Sequence, residues 1–200
     1  MIRLLKFLPI VLIFIVGSGC HTTKSEIIEK HTDIILPKGN GQFPVVLFLQ
    51  GTGGGNSRAY GWSNWFKAKG VASAIIDNAG IRGRSNFVGV HGIDYSTDVV
   101  AALNVLESNP HIDTKHFIIM GFSRGGWMAL NAGHHFYWGR IPPDLVFAFY
   151  PGGRRECDST HKYPTEVHIF YGDLDESGGY LGTREACKRE GNIRKNVPIV

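Results

Sequence analysis

Residues 121–125 read Gly-Phe-Ser-Arg-Gly, directly after the apolar run FIIM, and match the pattern G-x-S-x-G. A serine at the centre of that pattern sits on a sharp strand-to-helix turn, where its hydroxyl stands clear of the backbone as a nucleophile. Gly121 and Gly125 suit a turn with no room for side chains, and Gly126 lets the following helix lie close to the strands. The chemistry on offer is acyl transfer, with Ser123 attacking a carbonyl once a base has taken its proton. In chain order an acid should follow the serine, and a histidine should follow the acid. The run TEVHIFY leads into Gly172-Asp173-Leu174-Asp175-Glu176, from which Asp175 is the preferred acid and Asp173 the second choice. Its task is to orient the imidazole and stabilise its cationic form. Upstream, LQGTGGGNS at 49–57 holds four glycines that let backbone N–H groups face inward. The N–H groups of Thr52 and Arg124 are the expected oxyanion donors. The same loop fails as a dinucleotide site, because Asn56 stands where the last glycine of G-x-G-x-x-G belongs.

These groups need strands to carry them to one edge. Apolar, β-branched or aromatic runs at 32–36, 44–50, 71–77, 115–120, 144–150 and 165–171 predict six strands. Several are apolar on consecutive positions, as in parallel strands covered on both faces. Helical patterns fall at 94–108, where Val99, Leu103 and Leu106 share a face, and at 124–135 (RGGWMALNAGHH). Strand and helix alternate from Pro44 onward, which predicts an α/β fold: a mostly parallel sheet with helices on both faces.

The N-terminus carries a different signal. Arg3 and Lys6 precede the ten apolar residues FLPIVLIFIV, too few for a spanning helix but suited to an export signal. Gly17-Ser18-Gly19-Cys20 closes the segment and resembles a bacterial lipoprotein signal, which implies lipidation at Cys20. It departs from that pattern at Gly17, where Leu or Val is usual. An ordinary signal peptide cut after small residues is the alternative. The expected organisation is therefore a signal peptide at 1–19, a lipidated tether at 20–31 and one domain at 32–200. The expected location is the cell envelope, lipid-anchored and facing the periplasm or exterior. With Cys20 assigned to the anchor, Cys157 and Cys187 remain as a disulfide pair for an oxidising compartment. Loss of Arg3 and Lys6 lowers the formal charge from +4 to +2, and no Lys/Arg run suggests a nucleic-acid partner.

Taken together, LFLQGTGGG, KGVASAIIDNAGIRGR, DVVAALNVLESNPHIDTKHFIIMGFSRGGWMAL, YPGG, FYGDLDE and CKREGN resemble the dienelactone hydrolase family of α/β-hydrolases. The resemblance spans most of residues 44–200. It implies the α/β-hydrolase fold, cleavage of a small ester or lactone without cofactor or metal, Ser123 as nucleophile and Asp175 as acid. Two departures stand out: Gln50-Gly51 replaces the more usual His-Gly, and position 123 is serine where cysteine is frequent in the family. A third concerns the base, which the family places in a loop after one more strand. No histidine follows His168, and VPIV at 197–200 reads as a strand just beginning. The expectation is a domain lacking its C-terminal strand and helix, whose base lies beyond Val200. Among the histidines present, His91 lies in a loop leaving the edge that carries Ser123 and is the substitute base. The rival reading is a catalytically inactive lipoprotein of the same fold that binds a ligand or partner.

Overall fold

The computed structural model describes residues 24–55, 57–135, 141–152, 165–170 and 172. Cys20, Cys157, Asp173, Asp175 and Cys187 lie outside them, so the lipidation, disulfide and acid assignments do too. Among the described residues six strands form one sheet: β1 (Thr32–Ile35), β2 (Phe43–Leu49), β3 (Ala72–Ile76), β4 (Ile112–Phe122), β5 (Leu145–Phe149) and β6 (Glu166–Phe170). Their order across the sheet is β1-β3-β2-β4-β5-β6. Only β1 runs antiparallel to its neighbour, and the other pairings are parallel.

Alternation along β2 shows why consecutive apolar residues are needed. Val45, Leu47 and Leu49 enter one core, while Val46 and Phe48 enter another on the opposite face. The first core is closed by three helices: α1 (Lys24–Lys30), α3 (Asp98–Leu106) and α4 (Arg124–His135). The second is closed by α2 (Ser57–Ala68), through Ala59 and Phe66. Each β2 residue from Val45 to Leu49 is thus covered on one side or the other, so an alternating polar pattern has no place to go there.

Three elements depart from the sequence reading. Residues 24–30, expected within a polar tether, form α1, whose Ile28 is buried beside α3. One apolar contact in a polar heptamer leaves no periodic signal. Helix α2 is likewise unannounced, since SRAYGWSNWFKA mixes serine, glycine and aromatic residues. Finally, β4 begins at Ile112 and its register against β2 shifts between Pro44 and Val45. Pro44 has no N–H to give the ladder, and such irregularities collect where proline enters a strand. His116 lies within β4, toward its starting end.

Candidate active site

The five parallel strands β2 to β6 deliver their carboxyl ends to one edge, and the candidate groups gather there. Between β4 and α4 the chain turns through Ser123 with φ of 55°. A positive φ at a non-glycine residue carries strain of order 1–3 kcal/mol and needs surrounding structure to enforce it. The enforcement is visible in three glycines. A Cβ at Gly121 would lie 2.0 Å from the Gly125 carbonyl oxygen, and one at Gly125 would lie 2.2 Å from that of Leu49. One at Gly126 would lie 3.0 Å from the Phe149 oxygen. Helix α4 therefore starts pressed against β2 and β5: Gly121 and Gly125 leave no room for a methyl group, and Gly126 is tight. Ser123 itself donates its N–H to Phe149 O at 2.9 Å and accepts at its carbonyl from Trp127 N at 3.2 Å.

Facing this turn is the glycine loop after β2. Gly51 comes close to it, with a Cβ there falling 3.1 Å from Phe122 O and 3.5 Å from the Ser123 Cβ. Two clefts meet at Ser123 and Thr52. One, of 280 Å³, is bordered by Gly53, Arg58 and Tyr150 as well. The other, of 310 Å³, is bordered by His91, Ile93, Arg124 and Trp127. The structure thus brings together Ser123, Thr52, Arg124 and His91 from the predicted set.

The remaining described histidines sit elsewhere. His116 pairs with Asp144 at 3.4 Å, and His168 with Glu166 at 2.9 Å on β6. His31 also lies at this edge. Because β1 is antiparallel, its first residues adjoin the end of β3, and His31 lies 3.6 Å from Asp77. Three strand spacings, roughly 14 Å, still separate β1 from β4. Gln50, the departure from His-Gly, spends its side-chain amide on Asp77 Oδ1 at 3.2 Å.

Two groups of residues near the site escape sequence reasoning. Tyr150, with φ of 37°, borders the first cleft, and Arg58 lies on a helix that gave no signal. The other group is a buried polar chain under the glycine loop. Asn78 accepts from Gln50 N at 3.4 Å and donates to Asp98 Oδ2 at 2.9 Å. Arg82 holds both Asp98 oxygens, at 2.6 and 3.1 Å. Arg82 also donates to Asn78 O at 2.9 Å and so acts as a strut for the loop. Among the described residues no three His, Cys, Asp or Glu side chains group as a metal site, and no helix is long and apolar enough to cross a membrane.

The profile of the dienelactone hydrolase family matches residues 91–190, which is half of the chain. The chain belongs to the dienelactone hydrolase family. Solved structures agree on the fold. A Klebsiella pneumoniae protein assigned as a dienelactone hydrolase superposes with a TM-score of 0.59 at 16% identity, covering 80% of this chain and 75% of that one. Est1E from Butyrivibrio proteoclasticus, solved with ferulic acid bound, gives 0.61 at 15% identity over 79% and 80% of the two chains. The promiscuous phosphotriesterase P91 from metagenomic libraries, a dienelactone hydrolase-like protein, gives 0.56 at 16% identity over 80% and 71%. No curated protein matches the sequence. For a dienelactone hydrolase family member, the departures at Gln50 and Ser123 leave the architecture of this edge intact.

Proposed function

We propose that this protein hydrolyses a small ester or lactone through an acyl-enzyme on Ser123. The observation that carries the reading is the forced left-handed turn, which presents Ser123 where two clefts meet, beside Thr52. Ser123 Oγ attacks the carbonyl carbon, and the N–H groups of Thr52 and Arg124 receive the oxyanion. The tetrahedral adduct collapses, the leaving alcohol takes up a proton, and water then releases the acyl group. Asp175 is the acid of this scheme. In support, Tyr150 N donates to Phe170 O at 2.6 Å, so β6 ends beside the end of β5, on the edge that carries Ser123. For the base, His91 is the described histidine that borders a cleft with Ser123.

A fluorophosphonate tests the reading directly. The expected result is covalent labelling at Ser123 that vanishes in Ser123→Ala, with His91→Ala slowing it by about 10²-fold or more. A folded protein with an unreactive Ser123 overturns the enzyme reading and favours a binding-only protein. An unchanged rate in His91→Ala removes His91 from the scheme and assigns the proton to another histidine.

Export with a lipid anchor at Cys20 and a Cys157–Cys187 disulfide belong to the same proposal. They are supported by the basic and apolar residues ahead of Cys20 and by the even cysteine remainder. Intact-mass measurement of the protein from membranes is the check: a diacylglyceryl mass on Cys20 and a two-hydrogen deficit are expected, and a free thiol at Cys20 would refute the anchor.

A further inference from the structure

The loop carrying Thr52 has little of its own to hold it. Positions 51 and 53–55 are glycines, and a Cβ at Gly53 or Gly55 would meet nothing within 4 Å. Yet its three successive carbonyls are all engaged. Gln50 O accepts from Tyr95 Oη at 2.7 Å. Gly51 O accepts from Gly54 N at 3.2 Å, and Thr52 O accepts from Phe87 N at 2.7 Å. A carbonyl released from such a bond can rotate inward and put its negative end where an oxyanion needs a donor. With all three turned away, the Thr52 N–H has no acceptor among the described residues.

Two of those three bonds come from one stacked pair. The rings of Phe87 and Tyr95 lie 5.0 Å apart and 8° from parallel, and both side chains are fully buried. Arg124 closes the frame from the other side. Its guanidinium sits 5.6 Å over the Phe87 ring and donates to Val90 O at 2.6 Å and to Phe87 O at 3.5 Å. Arg124 is also the residue whose backbone N–H is the second oxyanion donor. The side chain of one donor residue therefore grips the segment that steadies the other donor.

The geometry points to Tyr95, Phe87 and the Arg124 side chain as a positioning frame that sets the spacing of the two oxyanion donors, an inference that rests on Ser123 being the nucleophile. None of the three side-chain groups has to touch the reacting atoms. Their effect falls on the charge that develops in the transition state, which the ground-state ester does not yet carry. Loosening the frame should lower kcat and leave KM in place.

Hydrolysis of p-nitrophenyl acetate and the rate of fluorophosphonate labelling test this on the full chain. Tyr95→Phe keeps the ring stack and removes only the hydroxyl. Arg124→Met keeps the backbone N–H and removes the grip on Phe87 and Val90. Each is expected to lower kcat by about tenfold, less than the 10²–10³ lost with a whole oxyanion donor. KM should stay within about twofold, and labelling should slow in proportion to kcat. If Tyr95→Phe fails to fold, Arg124→Met carries the test by itself. A labelled parent alongside variants with unchanged kcat, or variants whose KM rises while kcat holds, overturns the frame and leaves the hydrolase reading standing. A folded parent that never labels at Ser123 overturns both.

Discussion

The turn at Ser123 and the loop at Thr52 face each other across one site, yet they are held in opposite ways. The turn is held by its own backbone, with Gly125 packed against the Leu49 and Gln50 carbonyls and no space there for a methyl group. The loop has open space around Gly53 and Gly55 and takes its shape from residues far along the chain: Asn78, Phe87 and Tyr95. Self-contained geometry leaves a local motif, whereas borrowed geometry does not. On the proposed mechanism, the nucleophile is presented rigidly by sterics, while the donor opposite it is adjustable by substitution at a distance.

The largest effect expected is on chemistry. Ser123→Ala should lower ester hydrolysis by at least about 10⁴-fold while leaving the melting temperature near that of the parent. Residual activity above that level would place the nucleophile elsewhere. Next is the turn itself. Gly125→Ala drives a methyl into the Leu49 and Gln50 carbonyls and should cost about 3 kcal/mol in denaturant unfolding. A neutral result would mean that α4 can lift from the sheet. The loop's supports should cost slightly less. Arg82→Met leaves buried Asp98 with Asn78 alone, and about 2–3 kcal/mol should be lost.

Smaller still is a pH effect at Tyr95. Burial raises its phenol above the ordinary value. The folded state therefore favours the protonated form, giving stability that is complete below the ordinary tyrosine pKa of about 10 and drains away as pH rises past it. Tyr95→Phe should accordingly lose less stability than the parent between about pH 9 and pH 11, as read by urea midpoints. Equal losses would remove this contribution. At the end of the scale, Gly53→Ala should change stability by less than about 0.5 kcal/mol, because nothing lies within 4 Å of the added methyl. A large loss there would erase the contrast between turn and loop.

That contrast also explains what could be read beforehand. The central strands are legible in the sequence because residues 45–49 and 74–76 bury both faces and are apolar throughout. Helix α4 was legible from 124 to 135 because the glycine pattern marks its start. Ser123, Thr52 and Arg124 follow from motifs whose spacing is local. Tyr95 and Phe87 were invisible because their partners, Gln50 and Thr52, lie far away in sequence and bond through backbone atoms, which no residue type reveals. Helix α1 leaves no pattern in the sequence because Ile28 alone anchors it in the core.

The pairing of β2 with β4 joins Val45 to Phe117, and it has a kinetic consequence. Some 70 residues must be looped before that central contact forms, which places the fold among slow, non-local folders. The turn at Ser123 is pressed into shape by β2 carbonyls, so it cannot reach its strained form until that late closure has happened. A half-folded chain therefore carries the serine in a relaxed backbone, and competence toward an electrophile should emerge with the last cooperative step of folding.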